Sequence, residues 1–149
     1  MKKIALAVTA LCLSISGVAA ADDPIAVRKA IMQANAASAG LAGAMMKGEL
    51  EYNPAIAKAA ILTLSASAKS FGEFFPEGSG DGDTTAAPAI WDDAEGFQAA
   101  LDKYISDTAA AVEASGKDGP ADLAAFQAAI GPVFGNCKSC HENFRVQNN

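Results

Sequence analysis

Between Asp23 and Arg145 the apolar residues recur at three- and four-residue intervals, and proline and glycine gather at a few points between them. That is the pattern of amphipathic helices joined by short loops. Asp23-Pro24 opens the first helix as an N-cap followed by proline at the first helical position. Ile25, Met32 and Leu41 carry it to about Lys47, where Gly48 stops it. Asn53-Pro54 repeats the opening signal, and Ile56, Ile61, Leu62 and Leu64 extend a second helix to about Phe71. A loop with Gly78, Gly80 and Gly82 among acidic residues follows and ends at Pro88. The third helix is expected from Asp92 or Asp93 to Ser115, with Phe97, Leu101, Tyr104, Ile105 and Val112 at helical spacing. After a turn over Gly116 to Pro120, the fourth runs from about Ala121 to Arg145. Pro132 lies inside it and should kink the chain rather than break it, because the residues beyond still need helical spacing. The expected fold is all-α, an antiparallel up-down-up-down four-helix bundle.

Ahead of this lies a different pattern. Lys2 and Lys3 precede an apolar run from Ile4 to Val18, and Ala19-Ala20-Ala21 supplies small residues for cleavage. Residues 1–20 therefore read as a secretory signal peptide, cleaved after Ala20 or Ala21 and too short for a membrane span. Residues 21–149 form one domain, with no membrane span after cleavage, and the destination is the periplasm. The full chain has 17 acidic residues against 11 lysines and arginines. Loss of Lys2 and Lys3 leaves 9 basic residues and a formal charge of −8. That excludes nucleic-acid binding, which needs a basic face. It permits steering toward redox partner proteins with a basic docking face, and it also serves plain solubility.

The chemistry is concentrated near the end. Cys137-Lys138-Ser139-Cys140-His141 has the spacing of a c-type haem attachment site, and His141 is the single histidine. Thiols three residues apart share a helix face, where they can bond to one porphyrin while the adjacent imidazole meets the iron. A zinc site would want four nitrogen or sulfur ligands, and the other cysteine, Cys12, lies in the signal segment. A thioredoxin-like dithiol would need a βαβ pattern, which is missing. A haem peroxidase would need a positioned base, and no second histidine exists, so the chain does not read as an enzyme.

With one histidine, the sixth iron position falls to methionine, lysine, water or nothing. Met32 is about 12 Å from the start of the first helix, and antiparallel packing brings it level with His141 near the end of the fourth. Met45 and Met46 lie about 20 Å further along, at the wrong end of the bundle. On periodicity alone the Met32 sulfur either bonds iron or fills core space. Arg28 shares a face with Met32 and can pair with a haem propionate, and Arg145 can sit beside the proximal imidazole. Either arginine can instead be an ordinary surface residue. The small residues from Ala34 to Ala44, with Gly40 and Gly43, permit close helix approach within the bundle or across a homodimer.

Together these residues make the chain resemble the class II c-type cytochromes, the cytochrome c-prime group and its low-spin relatives. The matching features are Arg28-x-x-x-Met32, Gly43-Ala44-Met45-Met46-Lys47-Gly48-Glu49, Tyr52-Asn53, Phe74-Phe75-Pro76, Pro88-Ala89-Ile90-Trp91 and Cys137 through Arg145. The resemblance implies a left-handed bundle with one haem c attached through Cys137 and Cys140, proximal His141 and a distal residue at Met32. In the high-spin branch that residue covers an open iron face where NO or CO binds; in the low-spin branch a methionine ligates the iron. Methionine occurs there in both. Pro132 and the Cys140 to Arg145 ending look more like the low-spin branch, which implies a monohaem electron carrier with Met32 as second axial ligand.

Overall fold

The computed structural model describes residues 23–146, and the expected signal peptide lies outside them. The helices are α1 (Pro24–Lys47), α2 (Pro54–Phe71), the single turn α3 (Ala89–Asp92), α4 (Ala94–Ala114) and α5 (Leu123–Phe144). Each long helix starts where a side chain satisfies a backbone N–H that would otherwise lack a partner. Asp23 accepts from the Ile25 N–H at 2.9 Å, and Asn53 accepts from Ala55 and Ile56 at 2.9 and 3.1 Å. Asp93 and Asp122 do the same for α4 and α5. Gly48 ends α1 in the left-handed region at φ 73°, which only glycine enters without strain.

Two boundaries differ from the sequence expectation. The third helix is preceded by the separate turn α3, because Asp93 leaves helical geometry (φ −124°, ψ 60°) to cap α4. The last helix begins at Leu123 rather than Ala121, since Asp122 is its extended N-cap, and it ends at Phe144 because Arg145 turns extended and pairs with Ala86. The helix runs unbroken through Pro132.

Packing goes in sequence: α1 lies along α2, α2 along α4 and α4 along α5, while α1 and α5 scarcely touch. The fold is thus an all-helical four-helix bundle with one seam held open. Burial divides along the axis. At one end Met45, Ile61, Leu64, Phe126, Ile130 and Val133 form a closed core, with Met46 packed against it, so both methionines sit where the sequence put them. At the other end Phe71, Ile90, Phe97, Leu101 and Phe144 form a second cluster, which Met32, Phe75 and Cys140 join. Its rings meet edge to face, with Phe75 at 5.0 Å from Phe71 and 4.8 Å from Phe97, and Phe97 at 5.3 Å from Phe144. No helix among the described residues is long and apolar enough to cross a membrane.

Candidate functional site

The open seam between α1 and α5 is a cavity of about 440 Å³. Arg28, Met32, Cys137, Cys140, His141 and Arg145, the six residues singled out from the sequence, all line it. α5 forms one wall, with Cys137, Cys140 and His141 on a single helical face. α1 forms the facing wall and contributes Met32. Leu64, Phe71, Phe97 and Leu101 of α2 and α4 line the cavity as well, and so do residues 83–86 of the loop.

The loop is fastened on both sides, and this explains a role of Arg28 that the sequence does not reveal. Arg28 is 5 % exposed. Its Nη1 donates to Phe74 O and Ser79 Oγ at 2.9 Å, and its Nη2 donates to Ser79 O at 2.7 Å and Thr84 Oγ1 at 3.5 Å. The guanidinium also stacks on Phe75, 4.7 Å from the ring centre. On the other side the Ala87 N–H donates to Phe144 O, the Val146 N–H to Thr85 O, and Arg145 Nε to Thr85 Oγ1 at 3.3 Å. Gly80 lets the loop lie flat, since a Cβ there would meet the Trp91 ring at 2.9 Å. Replacing Arg28 with alanine is expected to cost about 2–4 kcal/mol of unfolding free energy, because buried carbonyls lose their donors together. Denaturant unfolding of the haem-loaded protein measures this. A loss under about 0.5 kcal/mol, the range of an ordinary surface change, would mean that the loop holds itself.

The donor set on α5 suits covalent haem. Cys137 and Cys140 are free thiols, both partly exposed to the cavity. Burial pushes both thiols above their ordinary range, and for Cys140 the neighbouring Cys137 adds to it. Burial, with Arg145 second, pulls His141 below its usual value, which favours the neutral imidazole that binds metals. One residue earlier, Asn136 is 5 % exposed and donates from Nδ2 to Asp107 Oδ2 at 2.8 Å, fastening the attachment turn to α4. Lys103 in turn bonds Asp107. Asn35, Tyr104 and Asn136 also line the cavity and were not read as site residues. Their signal was faint: Asn35 is one turn beyond Met32, and Asn136 immediately precedes Cys137.

Comparison with known proteins gives a consistent picture. The family model described as Cytochrome C' matches residues 23–145. A cytochrome c' of Rhodopseudomonas palustris is 38 % identical over 134 residues, covering 89 % of this chain and 88 % of the relative. A cytochrome c-556 of Agrobacterium fabrum is 33 % identical over 147 residues, covering 99 % and 97 %. Among solved structures, cytochrome c' from Rhodopseudomonas palustris superposes with a TM-score of 0.76 at 35 % identity, covering 85 % of this chain and 98 % of that one.

Proposed function

The chain belongs to the cytochrome c' family, and from that premise we propose that it is a periplasmic monohaem electron carrier with His141 and Met32 as axial ligands. One observation carries the reading. Among the described residues lining the cavity, the one imidazole and the one thioether stand on facing walls.

Haem c, attached through Cys137 and Cys140, supplies a one-electron iron couple. The protein's part is to hold that couple in a fixed, dry setting. Burial, with Arg145 second, favours the neutral imidazole of His141 that would meet the iron. Phe71, Phe97 and Leu101 keep water from the inner edge. Met32 would supply a thioether on the other side, and its ligation would favour the reduced state and so raise the potential. Arg145 and Arg28 are the cations we assign to the propionates; since Arg28 already bonds the loop, its contribution there is largely through charge. The acidic surface suits a partner with a basic docking face. Export before haem attachment agrees with the N-terminal signal and with thiols left for an oxidising compartment.

A second reading keeps the same cavity but leaves Met32 covering the iron without bonding it, so that a gas such as NO or CO can enter. It is favoured by the cytochrome c' name that relatives carry beside cytochrome c-556. The optical spectrum of the ferrous protein, taken with and without carbon monoxide, decides between them. A low-spin spectrum unchanged by CO is expected; high-spin features and immediate CO uptake would sink the carrier reading.

A further inference from the structure

The α1 side of the cavity holds a polar cluster that neither the loop nor the haem attachment uses. Asn35 lies three residues beyond Met32, and both line the cavity. Ser67 of α2, 9 % exposed, donates its hydroxyl to Asn35 Oδ1 at 2.6 Å. Tyr104 of α4, also on the cavity wall, brings its hydroxyl to 3.4 Å from Ser67 Oγ. Three helices therefore each place a polar group at one point of a largely apolar surface, which costs free energy unless the groups are bonded.

Counting protons shows that the cluster is not closed on itself. A hydroxyl has one proton and an amide two N–H donors. Ser67 Oγ also lies 2.9 Å from Leu64 O, but the shorter contact to Asn35 takes the proton. With its oxygen held by Ser67, Asn35 has its donor end left to offer on its cavity side. Arg28 and Lys29, the cations of the same wall, are bonded to the loop.

We propose that Asn35, oriented by Ser67 and Tyr104, is a hydrogen-bond donor to a small diatomic ligand held on the Met32 side of the cavity, and so sets how long the site retains it. The inference rests on the second reading above, in which haem lies between α1 and α5 with His141 on the opposite wall and Met32 covers the iron without bonding it. It adds a specificity-determining residue to that wall. A diatomic with partial negative charge on its outer atom would gain most from such a donor.

The test uses the haem-loaded protein with Met32→Ala, which opens that side whether or not Met32 ligates, and carbon monoxide as the probe of the ferrous form. Adding Asn35→Leu removes the donor at similar volume. The C–O stretching frequency is expected to rise and CO dissociation to speed up about two- to tenfold, the span of one ordinary net hydrogen bond. An identical frequency and rate in the two proteins would overturn the proposal. Ser67→Ala on the same background keeps Asn35 but frees its orientation, and is expected to shift the band part of the way; an unmoved band would overturn the orienting role. Asn35→Ala replaces the leucine variant if haem loading suffers. If Met32→Ala binds no CO at all, the reading of the cavity falls and the proposal with it. Failure of the Asn35 comparison alone leaves that reading standing.

Discussion

A chain with both Cys137 and Cys140 replaced by serine is expected to carry no haem that survives denaturation. The measurement is haem staining after denaturing electrophoresis, with pyridine haemochrome spectra for quantity. The reason is chemical. A thioether needs a sulfur nucleophile, and a serine hydroxyl at the same place is far too poor a one to substitute. The single variants should each keep one thioether and some bound haem. The double variant should also lose order, because α1 and α5 scarcely touch and the roughly 440 Å³ between them would lose the group that fills it. Circular dichroism and hydrogen exchange should show the loss mainly at the end of the bundle where Phe71, Phe97 and Phe144 cluster, with the closed core around Phe126 holding better. Denaturation-resistant haem in the double variant would show attachment elsewhere and remove the basis for the site.

What the sequence revealed, and what it hid, divides by distance along the chain. Asp23-Pro24, Asn53-Pro54 and Gly48 are local signals, and the helix ends they imply are the ones observed. The level of Met32 against His141, and of Met45 and Met46 far from it, followed from helix rise and antiparallel order alone. The break at Asp93 was harder to see. Asp92 and Asp93 can both cap, and only the packed structure selects the second and leaves Ala89–Asp92 as a turn of its own.

The non-local features had no sequence signature. Arg28 finds its partners 46 to 56 residues away, in a loop whose composition promised only turns. The pairing of Ala86 with Arg145 joins residues with no shared periodicity. The open seam was equally hidden, since Phe71, Phe97 and Leu101, which line it, read along the chain as any helix face reads. Asn35, Ser67 and Tyr104 come from three helices, and only their convergence makes them a cluster. Sequence thus supplied the attachment chemistry and the candidates for the iron, while the arrangement around the cavity mouth and the polar corner of the α1 wall came from tertiary structure.

Met32→Ala is the second large effect, and it separates ligation from coverage. If the thioether bonds iron, its loss is expected to turn a low-spin spectrum high-spin. It should also lower the midpoint potential by more than about 59 mV, a tenfold change in a one-electron equilibrium. If Met32 only covers the iron, the resting spectrum and potential should barely move. Stability alone cannot discriminate, because Met32 packs with the aromatic cluster and its truncation leaves a void in either case. Met32→Leu supplies the control. Leucine keeps the volume to within a small cost but carries no sulfur, so packing survives and ligation does not. A carrier should then respond to leucine and alanine alike in spectrum and potential, and differently in unfolding free energy. Should Met32→Leu leave both spectrum and potential unchanged, Met32 is a lid, and the facing walls of the cavity serve a ligand from outside rather than the iron's own sixth bond.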